Sequence, residues 1–335
     1  MFGSAGSREL PASAVMMQMI NGNLVASAIG VAAELGIADL LRDGERSTAD
    51  LAAGAGAYDP SLYRLLRALA SLGVFTETGP RRFALTPLAE CLRTDVPDSL
   101  NVISRFNSTP LHWDAWREFA HCIRTGETAL KKLGIENGFT YFKDHPDEAA
   151  LFNDAMTRFS RQTAPAVTDA YDFSGFQTVV DIGGGHGYLL ATVMERNPGV
   201  RGILFDLPEV VAGAPAGRYE TVTGSFFDSV PAGADAYMMK SIIHDWDDER
   251  SAIILRNCHR AMAPEGRLLV IDMVIPPGNG PHFGKLLDLQ MMALPGGKER
   301  TTEEFRALFA SAGFELMQIV PTAVPVSIIE GRPIR

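Results

Sequence analysis

The stretch Thr178-Val-Val-Asp181-Ile-Gly183-Gly-Gly185-His-Gly187-Tyr188 decides the architecture. Thr178–Ile182 is an apolar, β-branched run that predicts a strand, a helix is expected from Tyr188, and the glycines fill the turn between them. Glycine lets the backbone turn tightly and approach a ligand with no Cβ in the way. A nicotinamide-dinucleotide loop of GxGxxG form is the rival reading, but its third glycine falls on Tyr188. GxGxG behind the acidic Asp181 suits a cofactor with no phosphate to cradle; a purely structural turn is the remaining alternative.

Toward the C-terminus, apolar strands alternate with helices: Gly202–Phe205, Ala236–Lys240, a helix from Asp248 to Met262, and Arg267–Met273. That alternation predicts a parallel sheet with covering helices, beginning near 165–175, just after Pro165. Asp206, followed by Leu207, ends the second strand, where a carboxylate can accept both hydroxyls of a ribose; a turn or cap residue is the plainer alternative. Ser225, Phe226 and Phe227 follow a third strand, and the two rings offer a flat surface for an adenine or simply pack in the core. The fourth strand runs through Lys240 into His244-Asp245-Trp246-Asp247-Asp248. A histidine titrates near pH 6.5 and can take the proton of a phenol, whose own pKa is about 10. The same cluster could hold a metal, but Asp247 and Asp248 more simply cap the next helix, so no metal is expected.

Toward the N-terminus the texture is helical. STADLAA (47–53) opens like a capped helix, and Pro60–Leu72 carries Leu62, Leu65, Leu66 and Leu69 on one face before Gly73. Two β-like runs, Val74–Thr76 and Arg82–Leu85, complete a winged-helix pattern. Such domains often bind DNA, but 30 basic against 40 acidic residues give a net charge of −10, which argues against nucleic acid. The segment Ala14–Leu35 has Met16, Met17, Met19, Ile20, Leu24 and Val25 with few charges; Gln18, Asn21, Asn23 and Glu34 break it as a membrane span. It reads as an amphipathic or buried helix, and a second copy of the chain would cover it, giving a homodimer. Residues 100–170 are mostly helical, with loop signals at Gly126, Gly134, Gly138 and Pro146. Three scattered cysteines and no leader pattern point to the cytoplasm and no membrane.

Together these phrases (VVDIGGGHG, FDLPEVV, SFFDSVP, KSIIHDWDD and LPGGKERT) resemble the plant-type caffeate and flavonoid O-methyltransferases and their bacterial antibiotic-pathway relatives, over essentially the whole chain. The resemblance implies an α/β, Rossmann-like class I methyltransferase sheet (171–335), a winged-helix-like dimerisation domain (1–100), and a helical linker and substrate lid (101–170). It implies S-adenosylmethionine as cofactor: Asp181, Gly183, Gly185 and Gly187 near its methionine part, Asp206 and Leu207 at the ribose, Ser225, Phe226, Phe227 and Lys240 at the adenine. Ser225 stands where relatives have an aspartate. It implies His244 as general base, followed by Asp245 and bracketed by Glu299 and Glu330. Phe152 and Met156 match a segment that lines the acceptor pocket, where Phe159, Met291 and Met292 join them; core packing is the alternative for each. The reaction implied is methyl transfer to a hydroxyl of a small, phenolic molecule. Relatives of the same fold that decarboxylate or hydroxylate polyketides, and a ligand-responsive winged-helix regulator, are the alternatives.

Overall fold

A computed structural model describes residues 10–334 apart from 216 and 218. The chain forms two compact units: one comprises residues up to Trp113 with Asp147–Arg158, the other Asp114–Pro146 with Phe159 onward.

In the first unit, helices Ala12–Ile20, Gly22–Glu34 and Ile37–Leu40 precede strand β1 (Arg46–Ser47), helices Thr48–Ala55 and Asp59–Ser71, and the hairpin β2 (Phe75–Gly79) and β3 (Arg82–Leu85). The small antiparallel sheet has the order β1-β3-β2, so the helix-and-hairpin pattern is present. Ser47 caps its helix, its Oγ accepting the Asp50 N–H at 3.1 Å. Leu62, Leu66 and Leu69 are buried against Leu51, Phe75 and Phe83, while Leu65 is half-buried. The apolar N-terminal segment is broken at Asn21, with a 41° bend between its two helices. Helix Ala12–Ile20 buries none of its residues, and Met16, Met17, Met19 and Ile20 are each more than half exposed. Among the described residues no single helix is long and apolar enough to cross a membrane, although this bent pair passes that test together.

The second unit holds the main sheet: β4 (Thr178–Ile182), β5 (Arg201–Asp206), β6 (Glu220–Thr223), β7 (Ala236–Lys240), β8 (Arg267–Ile275), β9 (Arg300–Thr301), β10 (Phe314–Pro321) and β11 (Val326–Pro333). The order is β10-β11-β8-β7-β4-β5-β6, with β9 beside β8. Strands β8 to β6 along that order are parallel, whereas β11 pairs antiparallel with both β8 and β10. The antiparallel pair departs from the purely parallel expectation. Consecutive residues alternate between two cores: Val180, Tyr237 and Leu268 face Leu255 and Phe305, while Val179, Met238 and Leu269 face Ala164, Val167 and Leu190. Pro165 lies inside helix Pro146–Ala170, between Ala164 and Val167, which are buried on the sheet, and the helix ends at Ala170, within the 165–175 range expected for a boundary. Pro146 and Gly138 begin helices, whereas Gly126 and Gly134 turn the chain at positive φ.

Strands β4, β5 and β7 are parallel and end at Ile182, Asp206 and Lys240. The glycine loop, Asp206 and the His244 loop therefore emerge at one carboxyl edge, where open α/β sheets bind ligands.

Candidate active site

Gly183, Gly185 and Gly187 all have left-handed backbones, with φ of 64°, 59° and 72°. A Cβ on Gly183 would lie 2.5 Å from Ile242 Cδ1 and 3.6 Å from the Phe226 ring, so only glycine keeps that gap open. The Gly185 N–H donates to Asp206 Oδ2 at 2.8 Å, and the Leu207 N–H to Oδ1 at 2.7 Å. Asp206 thus ties the loop to its own strand, and each oxygen keeps a lone pair for a diol. Burial raises its pKa, against these two backbone N–H groups. Asp181 is buried at the root of the loop. Burial pushes it up to about 7, partly offset by Lys240.

On the adenine side, Phe226 and Phe227 meet edge to face at 4.9 Å, and Phe227 meets Trp246 at 4.8 Å. Both rings are half-buried against the core. Ser225 Oγ accepts the Phe227 N–H at 3.2 Å, so the residue shapes the turn. Lys240 ends β7; burial lowers its pKa, while Asp272, Asp181 and Asp245 oppose that shift.

Between β7 and the next helix, Ser241 takes a left-handed φ of 55°, and its N–H donates to Asp272 Oδ1 at 3.0 Å. A non-glycine residue in that region is strained. A single 3-10 turn, Ile243–Asp245, then presents His244. His244 Nδ1 lies 2.7 Å from Glu299 Oε1, and Nε2 lies 3.6 Å from Asp245 Oδ1. Glu299 is buried, its second oxygen has no partner among the described residues, and its N–H donates to Asp288 Oδ1 at 2.9 Å. Burial alone would lower the His244 pKa; Asp245, Asp272 and Glu299 outweigh it and raise the value to about 9. Asp272 is itself pushed up to about 7 by burial. The remaining acids have other duties: Asp247 caps helix Asp248–Ala261 through the Arg250 N–H at 2.8 Å, and Asp248 pairs with Lys298 and Arg300.

Glu330 is a correction. Strand β11 runs antiparallel to β8, so it enters opposite Met273 at the site edge and carries Glu330 back to pair with Leu269. Its carboxylate binds Arg267 Nε at 3.1 Å and the Gln318 amide at 2.7 Å, and does not bracket His244. Phe152 and Met156 belong to the first unit, where Phe152 packs 5.6 Å from Phe106; Phe159, Met291 and Met292 belong to the second. Met291 is buried and Phe159 is exposed. Three residues escaped the sequence reading: Asp272 beside the base, Asp288 on the Glu299 backbone, and Arg300 on the carbonyl of Ile243. A lone acid in the apolar run LLVIDMVI was the available signal for Asp272.

The O-methyltransferase domain family matches residues 116–315, and the O-methyltransferase dimerisation domain matches residues 17–95. Phenazine O-methyltransferase PhzM of Lysobacter antibioticus is 47% identical over 333 residues, 97% of each chain. The solved mitomycin 7-O-methyltransferase MmcR superposes with a TM-score of 0.90 at 39% identity, over 96% of this chain and 98% of that one. NcsB1 from neocarzinostatin biosynthesis, solved with S-adenosylmethionine and 2-hydroxy-5-methyl naphthoic acid, gives a TM-score of 0.81 at 34% identity, over 92% and 96%. With this loop, this sheet order and these matches along its length, the chain belongs to the S-adenosylmethionine-dependent O-methyltransferase family, in its bacterial natural-product branch.

Proposed function

We propose that this enzyme methylates a phenolic hydroxyl of a small aromatic natural product, with His244 as general base and Glu299 as the acid that orients it. The 2.7 Å contact between His244 Nδ1 and Glu299 Oε1 carries the reading. A carboxylate at that distance accepts the Nδ1 proton, which leaves the lone pair on Nε2 to take a proton from the acceptor. Asp245, 3.6 Å from Nε2, stabilises the imidazolium as it forms. The phenazine, mitomycin and naphthoate chemistry in the relatives' names supports an aromatic acceptor.

The cofactor supplies a methyl already activated on its sulfonium. The gap at Gly183, beside Ile242 and Phe226, would leave room for the methionine part of the cofactor, and the spare lone pairs of Asp206 fit its ribose hydroxyls. Gly185 and Gly187 would hold its methionine part. Phe159, Met291 and Met292, all of the second unit, would line the acceptor pocket. Residues 1–100 would act as the dimerisation domain of a homodimer, 101–170 as linker and lid, and 171–335 as the catalytic domain. Unpaired Cys91, Cys122 and Cys258 suit work in the cytoplasm.

The test is a mass-spectrometric screen of phenolic and polyketide acceptors with S-adenosylmethionine. A gain of one CH2, lost in His244→Gln, is expected. Loss of CO2 or gain of oxygen in its place would overturn the reading.

A further inference from the structure

The carboxylate on Glu299 accounts for one side of the imidazole, but a three-residue 3-10 turn does not hold itself in place. It closes only two backbone bonds, from the Asp245 N–H to Ile242 at 3.2 Å and from the Trp246 N–H to Ile243 at 3.3 Å, and beyond these Ser251 Oγ reaches the Ile243 and Trp246 carbonyls at 3.3 Å each. Arg300, the next residue after Glu299, supplies what is missing. It is fully buried. Its Nη1 donates to the carbonyl of Ile243 at 3.0 Å, and its Nη2 to the carbonyl of Trp246 at 2.9 Å. Those two carbonyls flank His244 on either side. Nε reaches Asp248 Oδ1 at 3.0 Å, Nη2 reaches Ser251 Oγ at 3.2 Å, and Nη1 reaches the Lys298 carbonyl at 3.3 Å. Burying a guanidinium is costly unless its donors are matched, and here the fork spans a loop and the first turn of the following helix.

A second observation is independent of the charge. A Cβ on Gly297 would fall 2.0 Å from the His244 carbonyl oxygen, 2.4 Å from Asp245 C and 2.5 Å from Trp246 N. The segment Gly297–Arg300 therefore lies directly on the peptides that carry the base.

We propose that Arg300 is a positioning residue: with Gly297 as the seat, it pins the backbone on both sides of His244 so that the imidazole meets Glu299 and the acceptor oxygen in register. The proposal rests on His244 being the base. A misplacement of the reacting group by about 1 Å costs on the order of a hundredfold in rate. Lysine at this position would keep the charge but lose the planar fork, so it separates geometry from electrostatics.

The experiment uses the full-length enzyme with S-adenosylhomocysteine bound. The His244 titration is read by NMR in wild type and Arg300→Lys, and kcat and KM are measured on an acceptor that the wild type turns over. Asp245, Asp272 and Glu299 face the imidazole, with Lys240 and position 300 nearby, and all keep their charges in this variant. A folded Arg300→Lys should show unchanged S-adenosylhomocysteine affinity and acceptor KM. Its kcat should fall on the order of tenfold to a hundredfold. Its His244 pKa should fall as the Glu299 hydrogen bond loosens. Wild-type kcat and wild-type pKa in the folded variant would overturn the proposal. Should Arg300→Lys not fold, Gly297→Ala decides on the same readouts, since it pushes the same peptides without touching the buried charge. Undiminished kcat in His244→Gln would instead sink the base reading, and the NMR titration would still judge the positioning.

Discussion

His244 and Glu299 are 55 residues apart in the chain, on the loop after β7 and the segment entering β9, and their side chains meet at 2.7 Å. The contact does more than orient a ring. Glu299, with Asp245 and Asp272, makes His244 a stronger base than a free imidazole, and a base with a pKa of about 9 is well matched to a phenol. The cost is that about one enzyme in a hundred carries the neutral form at pH 7.

The pH dependence follows directly. On the proposed general-base role the neutral imidazole is the active form, so kcat/KM should rise with pH until about 9 and then level. A profile that levels near 6.5 would show that the three carboxylates do not act on the base. His244→Gln should lower kcat by roughly a hundredfold or more at neutral pH, with cofactor affinity unchanged.

Glu299→Gln separates orientation from charge. Removing the carboxylate removes part of what raises the His244 pKa, so the rising limb should move to lower pH while the plateau drops less than in His244→Gln. A limb that stays in place would assign the raised pKa to Asp245 and Asp272 alone.

The local motifs were legible because each is carried by a few neighbouring residues. The glycine loop, Asp206 at a strand end and the His244 loop fall where the alternation of strand and helix places them. Glu299 came from resemblance, since nothing local ties GGKERT to the base. Glu330 failed for a register reason. Spacing along the chain cannot say whether β11 runs with β8 or against it, and that direction decides which sheet edge the carboxylate reaches. The pair β10 and β11 lay hidden because charged and polar residues, Glu315, Gln318 and Glu330, interrupt its apolar residues and most of β10 is exposed or half-buried. Arg300 was overlooked because a buried arginine is rare and a charged residue ordinarily reads as surface.

Cofactor binding should depend on Asp206. S-adenosylhomocysteine should raise the melting temperature of the wild type, and NAD should not. In Asp206→Ala the Gly185 and Leu207 N–H groups lose their acceptor as well, so the loop loosens and the shift should disappear. A shift that persists would remove Asp206 from the site.

The dimer should depend on the exposed N-terminal helix. Met16, Met17, Met19 and Ile20 leave a contiguous apolar surface on a chain with net charge −10. Light scattering should give a dimer at micromolar concentration. Met16→Glu with Ile20→Glu should yield monomer without lowering the melting temperature of the second unit. A wild-type monomer would end this reading.

Acid stability should depend on His112, a histidine outside the active-site cluster. His112 is buried in the first unit, with Thr109 Oγ1 3.0 Å from its Nδ1 and the Phe106 ring packed edge to face on it, the centroids 4.4 Å apart. Its Nε2 has no partner among the described residues. Protonation would therefore place a charge in an apolar setting with one N–H unmatched, and burial lowers the pKa from 6.5 to about 4. The sign follows from which state binds the proton. The unfolded chain takes it up near 6.5 and the folded chain does not, so the stabilisation is complete above 6.5 and is lost as pH falls toward 4. A shift of this size corresponds to roughly 3 kcal/mol. His112→Gln keeps a polar group beside Thr109 but has nothing to titrate. Urea unfolding at pH 7 and pH 4 should show a smaller loss on acidification in the variant by about that amount. Equal losses in the two proteins would mean that His112 is free to charge in the folded state.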